Sequence, residues 1–225
     1  MNKMFVSPWL MVSPDGPVTS ALDKPGLIHM RQGDADAACG PYALMMGLIT
    51  LGALEREHIA YMGDWDGRSR DGRFRNALRE HGALVSRGTT TKDLIGLAGH
   101  FRGEGILSEL INGNKKEIVD AVQDAIKSDA VVLVCVSWSK LEGHWLMVVG
   151  HQGYEDGGVY QPTHLLCLDP LSEAPKASLW NAVIAVYDDE GKAVRGGTYS
   201  CDHWGMDGQV SPCKLDQLLT LCLES

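Results

Sequence analysis

Apolar residues recur along this chain with two different periods. Over 41–52 they fill almost every position around Gly47, the pattern of a helix buried on all sides, and a shorter helix follows over 55–62. An amphipathic helix over 70–81 is expected to stop at Gly82, and Thr89-Thr90-Thr91 offers hydroxyl caps to a helix over 92–100. Residues 115–127 place Ile118, Val119, Val122 and Ile126 on one face of a further helix. From 131 the period shortens. Val131-Val132-Leu133-Val134-Cys135-Val136 is a β-branched run suited to a buried strand, and 145–149, 165–168 and 182–187 continue the series. Asp188-Asp189-Glu190-Gly191 reads as a turn, and a fifth strand is expected near 198–201. Helices first and strands afterwards predict an α+β domain, with N-terminal helices packed on a C-terminal, mostly antiparallel sheet.

Composition narrows this picture. At 225 residues, 44% hydrophobic and 22% charged, the chain suits one domain over 1–225, with 1–27 as an N-terminal extension. Its formal net charge of −9 excludes a nucleic-acid surface, which needs a clustered basic face, and points faintly toward basic partners. Arg68, Arg70, Arg73, Arg75 and Arg79 are interleaved with Asp66, Asp71 and Glu80, the composition of a solvated helix face. The first thirteen residues are apolar in part, but Ser7-Pro8 interrupts them and Lys3 is their one basic residue, so they fit a secretory segment poorly. No run approaches the ~18 apolar residues of a membrane span. A cytoplasmic protein is expected, with export as an effector without a standard signal as the alternative.

The chemistry concentrates where these patterns break. The six cysteines are scattered without close pairing and do not form a disulfide framework. Cys135 and Cys167 sit inside strand runs and read as core. Cys39 differs, because a polar loop from Gln32 runs through it into the apolar helix. A helix N-terminus presents unpaired N–H groups and a positive dipole end, which favour a thiolate. His144, in Gly143-His144-Trp145, opens the second strand, and Asp169, in Asp169-Pro170, closes the third. If those strands pair through 150–163, imidazole and carboxylate meet at one sheet edge, and the carboxylate fixes the tautomer that faces the thiol. Gln32 has a side-chain amide able to share an oxyanion with a backbone N–H. His151 is placed near the site entrance, and Asp64-Trp65 is a weak candidate for substrate contact. His203, with Cys213 and Cys222, offers metal-ligating atoms at spacings that match no standard zinc pattern.

Together Gln32, Cys39-Gly40-Pro41-Tyr42-Ala43-Leu44, Gly143-His144-Trp145 and Asp169-Pro170 resemble the papain-like cysteine peptidases. Within them the chain is most similar to the group that includes the bacteriocin-leader (double-glycine) peptidases, in a stand-alone form. The Gly88-Thr89-Thr90-Thr91-Lys92-Asp93-Leu94 helix opening and the 131–136 strand stand in similar positions. The resemblance covers about residues 28–172 and leaves 173–225 as unassigned C-terminal strands. It implies a papain-like fold, with Cys39 as nucleophile, His144 as general base and acid, Asp169 as orienting carboxylate and Gln32 as oxyanion donor. Two departures stand out. Gln32 and Cys39 are one residue further apart than is usual in the family, and the connection between the histidine and aspartate strands is longer. Its Gly150, Gly153, Gly157 and Gly158 predict a mobile hairpin near the site, a lid or a substrate contact. No transporter segment follows, so the export role of fused leader peptidases is not expected.

The function expected is therefore a cysteine peptidase that hydrolyses a peptide or amide bond through a Cys-His-Asp triad and a thioester. The substrate is a peptide or protein, no cofactor or metal is needed, and no nucleic-acid or membrane partner is expected; the oligomeric state is open. Alternatives are a deamidase or transamidase of the same fold, a catalytically idle papain-like module that binds a peptide, and a metal-binding regulator built on His203 and the C-terminal cysteines.

Overall fold

The computed structural model describes residues 1–23, 25–33, 37–60, 66–80, 88–140 and 142–224. Strands come first. Strand β1 (Asn2–Val6) precedes a hairpin of β2 (Leu10–Ser13) and β3 (Gly16–Thr19), so the stretch expected as a mere extension carries three strands. Helix α1 (Cys39–Thr50) buries every side except Tyr42, as its unbroken apolar pattern requires. Gly47 makes the close packing possible: a Cβ there would meet Leu221 at 3.0 Å and Val131 at 3.1 Å. Helices α2 (Arg56–Ala60) and α3 (Arg70–Glu80) follow, the stop expected at Gly82 lying outside the described residues. Helix α4 (Thr91–Ala98) is capped by Thr90, whose hydroxyl accepts from the Asp93 N–H while the Asp93 carboxylate accepts from the Thr90 N–H. A 3₁₀ turn over Gly99–Glu104 ends at Gly105, in the left-handed region at φ 77°.

Strand β4 (Ile106–Asn112) leads to α5 (Lys115–Lys127), which buries Ile118, Val119, Val122 and Ile126 as its pattern predicts. The remaining strands are β5 (Val131–Ser137), β6 (Gly143–Asp156), β7 (Val159–Leu168), β8 (Ala182–Ala185), β9 (Cys201–Gly205) and β10 (Val210–Leu223). Every strand pairing is antiparallel. The fold is a mixed α and β structure dominated by its sheet. That sheet closes on itself: β5, β6, β7, β8, β9 and β10 pair in order and β10 returns to β5. Closure leaves the six ring strands paired on both sides, and β1 and β4, added along β6 and β10, form the sheet's edges. Register shifts in β6 and β10 mark the bulges that let the two long strands bend.

Two apolar clusters occupy opposite faces of the ring. Val132, Val134, Val136, Leu146, Val148, Leu165, Ile184 and Leu218 join the buried face of α5 in one. Alternate residues Leu133, Trp145, Met147 and Leu219 pack with α1 and α4 in the other. The strand-last order expected from the sequence is thus corrected, since four strands precede β5. The expected loop over 150–163 is also strand: β6 and β7 run on to a two-residue turn at Gly157-Gly158, both at positive φ, the geometry of a tight hairpin. No helix among the described residues is long and apolar enough to cross a membrane.

Candidate active site

Antiparallel pairing puts the start of β6 beside the end of β7, with Met147 opposite Leu168. His144 and Asp169 therefore share one mouth of the ring. The hairpin turn lies ~40 Å further along β6 at the usual rise per residue, which overturns the reading of that hairpin as a lid. Helix α1 brings its first residue, Cys39, to the same mouth. Its N-cap Ala38 supplies no side-chain acceptor and its first turn holds no acidic residue, so the positive helix end is left to the thiol. The Trp145 indole, donating to Thr89 O at 3.2 Å, packs beside Gly40, where a Cβ would meet Thr89 at 3.0 Å and Leu94 and Trp145 at 3.2 Å.

The side chains form one continuous chain of hydrogen bonds. His144 Nε2 lies 2.7 Å from Asp169 Oδ1, and the ring is also hydrogen-bonded to Cys39, which leaves Nδ1 to the thiol. Asp169 Oδ1 accepts the Leu171 N–H as well, at 2.7 Å. Asn181 fixes the aspartate backbone: its Oδ1 accepts the Asp169 N–H at 2.6 Å, and its Nδ2 donates to Asp169 O at 3.0 Å and to Glu173 O at 2.9 Å. His29 adds Nε2 at 3.1 Å from Asp169 O. The Trp138 ring stacks over His144, with centroids 5.8 Å apart and planes 23° apart, and meets His203 edge-on at 6.0 Å.

Charge in this chain is displaced from ordinary values. Burial pushes the Cys39 thiol up, but the hydrogen bond and charge of His144, with the Trp145 and Gly40 N–H groups, outweigh it and hold the thiol below its usual value. Burial pushes His144 down, yet Asp169 and Cys39 raise it to about 9. Asp169 is raised by burial and lowered further by His144, His203 and the Leu171 N–H, ending well below the carboxylate range. The other cysteines behave differently. Burial takes Cys135 up to about 12 and Cys201 up to about 11, and drives Cys167 and Cys213 upward too. Against these four, Cys39 is the thiol that moves toward the anion.

Gln32 is buried, and its backbone N–H donates to Pro170 O at 2.9 Å, which seats it against the corner that carries Asp169. His151 is not at the entrance. It lies further along β6, with Nδ1 2.8 Å from the Tyr160 hydroxyl and the Phe5 ring tilted against it at 5.1 Å, and burial and Lys127 lower it to about 4. Asp64-Trp65 and Asp34 to Asp36 lie outside the described residues. The metal set drawn from the sequence does not converge: His203 sits opposite Ser211 at the start of β10, whereas Cys222 lies opposite Leu107 at its end. Arg70, expected in a solvated face, pairs with Asp71 and Glu104 and covers the Phe101 ring at 4.9 Å. Sequence reasoning passed over Trp138, Asn181 and His29, which carry no motif and meet the site only through the folded chain. A cavity of about 520 Å³ opens beside Trp138, Asp169 and His203, and another of about 590 Å³ beside Cys135 and Gly143.

No family model matches the chain, and no curated protein matches it. Among solved structures it is similar to that described as the crystal structure of UfSP from C. elegans, with a TM-score of 0.43 and 12% sequence identity; the alignment covers 100% of this chain and 35% of that one. The chain thus spans about a third of that neighbour's length.

Proposed function

We propose that this protein is a papain-like cysteine peptidase in which Cys39, His144 and Asp169 form the catalytic triad. The observation that carries the proposal is the buried His144 imidazole, hydrogen-bonded at once to a thiol held toward its anion and to a carboxylate. Such a pair stores the proton that the chemistry needs. The Cys39 thiolate attacks the carbonyl carbon of a peptide or amide, forming a C–S bond and placing the electron pair on oxygen. The Cys39 backbone N–H and Gln32 hold that oxyanion, a contribution of ~2.7–4 kcal/mol in such sites. Collapse expels the amine, which takes the proton from the His144 imidazolium, and leaves a thioester. Water, deprotonated by His144, then attacks the thioester; the acid leaves and the thiolate returns. Asp169 keeps the proton on Nε2 throughout, so that Nδ1 does the transfer.

Support for the papain-like class comes from a thiol at the start of a buried helix packed on an antiparallel sheet that carries the base and then the carboxylate, in chain order. Within that class, the order of Gln32, Cys39-Gly40-Pro41, Gly143-His144-Trp145 and Asp169-Pro170 favours the double-glycine-peptidase-like group. The substrate is a peptide or protein. Its identity is reached by N-terminal mass spectrometry of a proteome incubated with the wild type and with Cys39→Ala. New N-termini that appear with the wild type and are absent with Cys39→Ala are expected. Equal cleavage by the folded Cys39→Ala protein overturns the assignment.

A further inference from the structure

The second imidazole at the mouth of the ring has no place in the triad, yet it faces the triad's carboxylate. His203 Nε2 lies 3.2 Å from Asp169 Oδ2, while Oδ1 serves His144 and Leu171. The His203 nitrogen is shut off from solvent and makes no well-directed hydrogen bond among the described residues, so the aspartate oxygen is the polar group it meets. Its backbone is fixed from both sides, since His203 stands opposite Ile184 of β8 and Ser211 of β10. Trp138 packs edge-on to it and stacked on His144, so the two rings and the indole box in one carboxylate.

Chemistry decides how that contact works. An unprotonated Nε2 would turn its lone pair on a buried anion, whereas an N–H there gives Oδ2 a donor it would otherwise lack. A carboxylate held at one oxygen can still swing about its Cβ–Cγ bond, and held at both oxygens it cannot. We propose that His203 is a positioning residue of the triad, which donates through Nε2–H to Asp169 Oδ2 and so keeps Oδ1 aimed at His144. This inference rests on the cysteine-peptidase reading. It assigns to the C-terminal strands, which the resemblance left unassigned, a part in the site.

The test reads Cys39 directly, by its second-order rate of alkylation with iodoacetamide near neutral pH. Wild type, His203→Gln and His203→Phe are compared, with thermal melts to establish folding. Glutamine can place an N–H near the position of Nε2, and phenylalanine fills the space without a donor. His203→Phe is expected to slow alkylation of Cys39 about tenfold, the scale of a lost hydrogen bond to a charged group, and His203→Gln to stay within about twofold of wild type. A folded His203→Phe protein as reactive as the wild type overturns the inference, as do two variants slowed equally, which is the mark of packing alone. A wild-type Cys39 no faster than an ordinary cysteine overturns the peptidase reading itself, and with it this one. Imidazole 15N–1H spectra of the wild type, assigned by the signal lost in His203→Gln, need no stable phenylalanine variant. They are expected to show a proton on His203 Nε2, and a bare Nε2 overturns the proposal.

Discussion

His144 Nε2 and Asp169 Oδ1 stand 2.7 Å apart with both side chains 3% exposed, which makes this contact a buried ion pair whenever the imidazole is charged. A pair of this kind is costly to break from one side, because the charge left behind has neither water nor partner. Asp169→Asn keeps the shape and removes the charge, and its amide can turn either a donor or an acceptor toward the ring. Turnover is expected to fall by about 10³–10⁴-fold, the scale seen when a triad carboxylate is neutralised, with substrate KM little changed. Steady-state kinetics on a substrate found by proteomics measures this. A variant within tenfold of wild type would remove Asp169 from the triad.

The same pair predicts how stability depends on pH. His144 is raised from its ordinary 6.5 to about 9, so its contribution is complete below about 6.5 and lost as the pH climbs through about 9. Asp169 is depressed from its ordinary 3.8, so its contribution is complete above about 3.8 and lost as the pH falls through its lower native value. The difference in urea unfolding free energy between wild type and Asp169→Asn is therefore expected to be greatest between about pH 4 and 6.5, and to shrink steadily toward pH 9. Under the proposed mechanism, turnover should decline above about 9, where His144 loses the proton that would pass to the leaving amine. A stability difference that does not change from pH 5 to 9 would contradict the ion pair.

The residues of the candidate triad were legible because each stands where a pattern breaks: Cys39 at the start of a helix, His144 at the start of a strand, Asp169 just past the end of another. The closed ring was not legible. Its longest hairpin hides behind glycines that read as loop, although Gly150 and Gly153 are demanded by backbone: a Cβ on them would come within 2.3 Å of Phe5 O and 2.0 Å of Gln161 O. Strand β10 escaped for the opposite reason, since Lys214, Asp216, Gln217 and Thr220 dilute its apolar face. His203, Asn181 and His29 carry no local motif. His29 and His203 reach Asp169 from segments far off in sequence, and Asn181 by the turn that follows β7, neither of which a single chain read in order discloses.

Asn181 gives a third prediction. Its side chain makes four contacts: it accepts the Asp169 N–H, donates to the carbonyls of Asp169 and Glu173, and places Nδ2 3.1 Å from His29 Nε2, with the residue 3% exposed. Asn181→Leu leaves the Asp169 N–H buried without its partner and takes from Asp169 O one of its two contacts, His29 Nε2 remaining, at a cost of ~1–3 kcal/mol before relaxation. The variant is expected to lose ~1–3 kcal/mol of stability and to lower Cys39 alkylation, because the aspartate is no longer anchored. Denaturant unfolding and alkylation rates check both, and a loss of stability with unchanged thiol reactivity would show that Asn181 serves the fold alone.

Two helical glycines separate backbone propensity from packing. In a helix interior, Gly→Ala ordinarily stabilises by ~0.5–1 kcal/mol, because alanine has fewer unfolded conformations to lose. Gly96 of α4 is exposed with no atom within 4 Å of an added Cβ, so Gly96→Ala is expected to show that full gain. Gly40, next to Cys39, has three side-chain atoms within 3.0–3.2 Å of the same position: Thr89, Leu94 and Trp145. Leu94 is fully buried and Trp145 nearly so, which leaves them little room to give way. Overpacking of this kind costs ~1–3 kcal/mol and outweighs the propensity term. Gly40→Ala is thus expected to destabilise, and also to slow Cys39 alkylation, because the displaced Trp145 carries one of the N–H groups that stabilise the thiolate. Thermal melts and iodoacetamide kinetics on the two variants decide it: gain at Gly96 with loss at Gly40 supports the packed thiol site, and gain at both would mean that the contact between Gly40 and Trp145 does not constrain the nucleophile.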